Sequence, residues 1–162
     1  MKAFKISEKI FLNHDAKVVW DTISSPCALE LFHPFCQANS VLNWDEIKID
    51  KLVYLNGSVY IREFSAWKPK KGFELNIGKK NGKKSKVQWE IHATDKGSEI
   101  KISVLPYRSN KVSKLLYPLA NLFIIKPRLK TYLKSVLLGL RYYLDHNKTV
   151  EKNQFGTHPW FS

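Results

Sequence analysis

Leu52-Val53-Tyr54-Leu55-Asn56-Gly57-Ser58-Val59-Tyr60-Ile61-Arg62-Glu63-Phe64 is the stretch on which the fold turns. Asn-Gly between two runs of β-branched, aromatic and aliphatic residues is the strongest short signal for a hairpin, because both residues tolerate the positive φ of a tight turn. Downstream the pattern repeats. Trp67-Lys68-Pro69-Lys70-Lys71-Gly72 turns into Phe73, Leu75 and Ile77; Lys80-Asn81-Gly82-Lys83 turns into Val87, Trp89 and Ile91; Asp95-Lys96-Gly97-Ser98 turns into Ile100, Ile102 and Val104. Period-two segments joined by tight turns predict an antiparallel meander. Gln37 to Leu42 reads as one more strand upstream of it.

Toward the N-terminus, Phe4, Ile6, Glu8, Ile10 and Leu12 alternate with Lys5, Ser7, Lys9 and Phe11, the pattern of a half-buried strand. Asn13 or Asp15 can cap a helix beginning near Ala16, with Val18, Val19, Trp20 and Ile23 on its apolar side. Ser24-Ser25-Pro26 ends that helix and starts a second, from Cys27 to about Phe32. Helices this short hold only when packed against something larger. Toward the C-terminus, Arg128 to Leu144 places Leu129, Tyr132, Leu133, Val136, Leu137, Leu140, Tyr143 and Leu144 on one stripe, with Arg128, Lys130, Lys134 and Arg141 off it. Pro127 suits the first position of that helix.

These elements predict an α+β helix-grip architecture in a single domain over 1–162: a curved antiparallel sheet of about seven strands, two short helices after the first strand, and a long C-terminal helix. The last helix is long enough to cover the sheet, yet a rod about 10 Å across cannot fill the concavity of a strongly twisted sheet. A hollow should remain. Its expected lining is Tyr54, Tyr60, Glu63, Phe64 and Trp89 from the strands and Leu133, Leu137 and Leu140 from the helix. Which strand face points inward stays open. Facing in, Glu63 would be a carboxyl of raised pKa able to move a proton; facing out, it is one more solvated charge.

Lysine and arginine number 27 against 14 acidic residues, a net charge of +13, so an anionic surface or ligand is attracted. Nucleic acid is not the expected partner: a recognition helix, zinc finger or RNP motif is missing, and Lys79, Lys80, Lys83, Lys84 and Lys86 read equally well as a polar turn. Cys27 and Cys36 fit reduced thiols in a cytoplasmic protein, and the N-terminal residues alternate charged with apolar where an export signal would be unbroken. His14, His33, His92, His146 and His158 lack metal-ligand spacing, so neither a metal nor a cofactor is expected. His33 beside Pro34 would serve as a general base if Glu30 or Glu63 oriented it; a satisfied loop histidine is the plainer reading.

Val112 to Ile125 is rich in Leu, Phe and Ile and flanked by Lys111, Lys114, Lys126, Arg128 and Lys130. Its uncharged run, Leu115 to Ile125, is well short of the roughly 20 residues that cross a bilayer. Two readings stand: an insert over 112–125 that acts as a lid or, with 112–130, docks on an anionic membrane surface, or a helix packed on the core or at a homodimer contact. In the tail, 147–162, Trp160 and Phe161 are odd residues for a free end and predict that it folds back on the body.

Ala16-Lys17-Val18-Val19-Trp20-Asp21-Thr22-Ile23-Ser24-Ser25-Pro26, Phe32-His33-Pro34-Phe35 and the Tyr54-x-Asn56-Gly57-x-x-Tyr60 pattern, in this order of elements, resemble the START-like (SRPBCC) superfamily. That group includes lipid-transfer START domains, polyketide cyclases and dehydrases, and birch-pollen-allergen relatives. The resemblance implies an intracellular binder of a hydrophobic small molecule, at times with cyclase or hydrolase activity. It carries no universal catalytic set, and Trp44-Asp45-Glu46-Ile47-Lys48-Ile49-Asp50 stands where the allergen branch has a glycine-rich loop.

Overall fold

At Asn56-Gly57 the chain reverses as its chemistry requires. Gly57 sits at φ 83°, its N–H donates to the Tyr54 carbonyl at 2.9 Å, and the Asn56 side-chain oxygen accepts the Ser58 N–H at 2.9 Å. The structure, a computed structural model, describes residues 4–107, 113 and 116–162. Its strands are β1 (Ile6–Leu12), β2 (Cys36–Trp44), β3 (Lys48–Tyr54), β4 (Val59–Lys68), β5 (Gly72–Gly78), β6 (Lys84–Thr94) and β7 (Gly97–Leu105). They form a seven-stranded sheet in the order β1-β7-β6-β5-β4-β3-β2, every neighbouring pair antiparallel. Because β1 lies beside β7 and β2 is the far edge, α1 (Ala16–Ile23) and α2 (Leu29–Phe32) carry the chain across the sheet. Register irregularities in β2 and at Phe64/Ala66 in β4 are where the ladder bends. The fold is the α+β helix grip that the sequence predicts.

Asp15 is the N-cap of α1, its carboxylate accepting the Val18 N–H at 2.9 Å. Val19, Trp20 and Ile23 go into the core, whereas Val18 points to solvent, because one narrow face of a two-turn helix meets the sheet. Trp20 meets Trp67 and Phe73 with ring centroids at 5.1 and 6.4 Å, and Trp67 in turn stacks on Phe73 at 5.6 Å. Trp44 and Phe64 complete this aromatic cluster, which plugs one end of the concave face.

The long helix α4 (Lys126–His146) does not begin at Pro127. Helical backbone already runs through α3 (Tyr117–Ala120) and a π-helical turn over Asn121–Ile125, in which the Lys126 N–H reaches back to the Asn121 carbonyl. Proline has no N–H to donate and crowds the carbonyl four residues before it, and a widened turn just ahead of Pro127 is how a helix passes through such a residue. Of the segment 112–125, residues 112, 114 and 115 lie outside the described residues, as do Lys111 and Lys114 of its basic flank. Asn147, in left-handed conformation at φ 49°, ends α4.

Where α4 crosses α2 the backbones touch. A Cβ on Gly139 would sit 2.1 Å from the Phe32 carbonyl oxygen, so only glycine lets the two helices approach this closely. That contact pulls the C-terminal half of α4 down onto the body, and Leu137 and Leu140 are fully enclosed there. The tail then returns along α2: the Val150 N–H donates to the Leu31 carbonyl at 3.0 Å and the Asn153 N–H to the Pro34 carbonyl at 2.9 Å. Phe161 ends buried against Tyr54, ring centroids 4.4 Å apart, while the Asn56 amide holds the Trp160 carbonyl at 2.7 Å.

Candidate functional site

The aromatic plug and the Gly139 crossing lie close together, linked through Phe32, Trp89 and Phe73, and away from them the N-terminal half of α4 stands off the sheet. A cavity of about 590 Å³ lies between helix and sheet. Its walls are Leu, Ile and Val side chains of β3 and β5–β7, Trp89, and Leu129, Leu133 and Val136 of α4, with Ile125 at the π-helical turn. A hollow of this size and lining is what a drug-sized apolar molecule requires.

Of the residues expected in the lining, Tyr54, Tyr60, Trp89 and Leu133 surround the cavity. The other four stand elsewhere. Leu137 and Leu140 belong to the packed half of α4, since the expected stripe is longer than the hollow beneath it. Phe64 shares the face of Tyr60 but is drawn into the aromatic plug, 5.1 Å from Phe73. Glu63 points to the opposite face, where it forms an ion pair with Lys84. Strand alternation dictates this: if Tyr60 and Phe64 face in, so does Arg62, and Glu63 cannot.

Arg62 is the charged residue that faces inward, and on the neighbouring strand its register partner is Asp50. Nε of Arg62 donates to Asp50 Oδ1 at 2.7 Å and Nη2 to Oδ2, a side-on bidentate pair with Asp50 fully buried and Arg62 nearly so. Two charges in an apolar interior hold only in such geometry. Arg62 also rests on Phe64, its Cζ 5.1 Å from the ring centroid.

Beside it His33, Tyr132 and Tyr54 are chained. The His33 Nδ1 accepts the Phe35 N–H at 3.2 Å, Nε2 lies 2.9 Å from the Tyr132 hydroxyl, and that hydroxyl is 3.0 Å from the hydroxyl of Tyr54. Among the described residues no carboxylate orients His33, whose ring nitrogens meet Tyr132 and the Phe35 N–H, while Glu30 accepts the backbone N–H of Asn39 at 2.9 Å. Burial, and then the nearby Arg62 charge, holds the His33 imidazole down at about 3. Burial likewise pushes the Tyr132 and Tyr54 hydroxyls well above the ordinary tyrosine range. The chain is therefore neutral across physiological pH. Sequence reading named Tyr54 and His33, and Tyr132 as part of the helix stripe, but missed the Asp50–Arg62 pair and the tail residues Trp160 and Phe161, of which Arg62, Trp160 and Phe161 line the cavity. Among the described residues no group of three or more His, Cys, Asp or Glu side chains could hold a metal ion.

No family model matches the sequence, and no curated protein is similar to it. Solved structures are. SA2116 from Staphylococcus aureus superposes with a TM-score of 0.73 at 9% identity, covering 89% of this chain and 94% of that one. An AHSA1-like protein from Aeromonas hydrophila gives 0.60 at 10% identity over 89% and 94%. DynU16, from the dynemicin biosynthetic locus, gives 0.67 at 13% identity over 90% of this chain and 48% of its own. What is shared is the fold. It is a helix-grip fold, at identities that carry no activity across.

His33 gives the protein an acid-sensitive interior. Its folded pKa of about 3 lies below the ordinary 6.5, so as pH falls the unfolded chain takes up the proton first. Stability from this group is flat above about pH 6.5 and declines between there and about pH 3, by at most about 1.4 kcal/mol per pH unit. His158, also held down by burial, acts in the same direction. In urea unfolding followed from pH 7 down to about 4, His33→Asn should lose stability less steeply than the parent; equal slopes would contradict this account.

Proposed function

We propose that the protein binds a hydrophobic small molecule, lipid-like in size and polarity, in the cavity between the sheet and α4. The observation that carries the reading is the hollow itself: about 590 Å³ of apolar-walled space in a core whose flanks are closely packed. A ligand of that size would replace water along these apolar walls with close contacts. The helix-grip neighbours support the reading through their shape alone.

An anionic membrane is the proposed place of exchange. Leu119, Leu122, Phe123 and Ile124 are exposed, Phe123 at 70%, although each is apolar. The next residue, Ile125, lines the cavity, and Lys126, Arg128 and Lys130 follow within the next turn and a half of helix. One short stretch thus offers apolar side chains to the outside, a wall to the inside and cations beside both, as an interfacial element does. Among the described residues no helix is long and apolar enough to cross a membrane.

A cyclase- or hydrolase-type reaction in the same space has less behind it. A general base works best near the operating pH, and His33, held at about 3 without a carboxylate partner, is far from it.

Mass spectrometry under non-denaturing conditions, on protein purified from its own source, should show one apolar molecule retained per chain and released by organic solvent. Uniformly empty protein that also fails to take up phenylnaphthylamine, an apolar fluorophore, would dismiss the reading. For the membrane half, the protein should co-float with vesicles containing phosphatidylserine and stay behind with phosphatidylcholine alone. Leu119→Ser/Phe123→Ser should abolish flotation without changing the urea midpoint; flotation unaffected by that pair would remove the segment from the account.

A further inference from the structure

Hydrogen counting at the polar end of the cavity narrows the ligand further, an inference that rests on the binding reading above. His33 Nδ1 is already occupied as an acceptor by the Phe35 N–H, so the neutral ring carries its hydrogen on Nε2 and donates it to Tyr132. His33, Tyr132 and Tyr54 then supply three polar hydrogens to a chain with two links, the Nε2–Tyr132 and the Tyr132–Tyr54 contacts. One phenolic hydrogen is left over. It sits on Tyr54 if Tyr132 donates onward, or on Tyr132 if Tyr54 donates back, and both tyrosines line the cavity. Among the described residues neither hydroxyl has another hydrogen-bond partner. A buried donor without an acceptor is costly, so the site is built to meet one.

The charge of that acceptor is also constrained. Arg62 is the cationic side chain in the lining besides the neutral His33, and its charge is already met side-on by Asp50. A carboxylate or phosphate entering here would be a second anion beside Asp50 with no second cation, which an apolar interior disfavours strongly.

We propose that the ligand is uncharged and carries a hydrogen-bond-accepting oxygen of the carbonyl type on an apolar body, received by the spare hydroxyl of the Tyr54–Tyr132 pair. Hydrocarbons leave that donor unmet. Fatty acids bring the wrong charge.

Methyl nonyl ketone, undecane and undecanoate share a chain and differ at the head, so displacement of phenylnaphthylamine by each isolates the head group. The ketone should displace the fluorophore at about tenfold lower concentration than undecane, the worth of one net hydrogen bond, and undecanoate should be weaker than the ketone. Tyr54→Phe alone should keep most of the ketone's advantage, because the spare hydrogen then resides on Tyr132. Tyr54→Phe/Tyr132→Phe passes the spare hydrogen to His33 Nε2, so only the further change His33→Leu should erase the advantage while leaving undecane binding in place, which also shows that the variant is folded. A ketone no better than undecane, or undecanoate the strongest of the three, overturns the inference and leaves apolar binding standing. If the fluorophore does not bind and none of the three is taken up, the binding reading falls with it.

Discussion

A helix laid across a curved sheet cannot occupy all the space that the sheet encloses, and everything particular to this protein follows from where the surplus is filled. At one end Trp20, Trp44, Phe64, Trp67 and Phe73 fill it with rings. Close by, Gly139 lets α4 sink onto α2 until backbone meets backbone, and Leu137 and Leu140 close the gap. Under the N-terminal half of α4 neither device operates. The cavity is the part of the concavity that large aromatic rings and a close helix crossing leave open.

That geometry also explains the placement of the polar groups. Asp50 and Arg62 share a register position on adjacent strands and face each other inside the sheet's concave side, so each neutralises the other. The His33–Tyr132–Tyr54 chain links the loop after α2, the N-terminal half of α4 and the end of β3, and the tail, through Phe161, then covers both tyrosines. Polar side chains at the cavity wall therefore hold the grip together as well as facing a guest. Function and packing draw on the same atoms, which is why their hydrogen bonds can be counted so closely.

Much of the architecture was legible in residues alone. Asn56-Gly57 and the later lysine- and glycine-containing turns spelled out the meander, and the stripe from Leu129 to Leu144 spelled out the covering helix. Alternation along β4 was also there to be used: Tyr60 and Phe64 inward require Arg62 inward and Glu63 outward, and Asp50 follows from Leu52 and Tyr54 in the same way. What the pattern could not carry was depth along the helix. Leu133 and Leu137 are equivalent on a helical wheel, and only the close crossing at Gly139 decides that one faces a hollow and the other a packed floor. Nor could it reveal that helical backbone continues upstream through Pro127, since a π turn has no simple sequence sign. The contribution of the tail to the wall lies equally beyond local pattern, because Phe161 reaches Tyr54 across more than a hundred residues of sequence.

The hollow itself is what most needs a direct measurement. Val87 and Val104 both line it, from adjacent strands. Enlarging each in turn to phenylalanine and measuring the urea midpoint of ligand-free protein tells an open space from a filled one. An open cavity accepts the ring, and the account predicts a midpoint equal to the parent's or higher. A loss of about 1–3 kcal/mol in both variants, the usual consequence of overpacking a solid core, would contradict it.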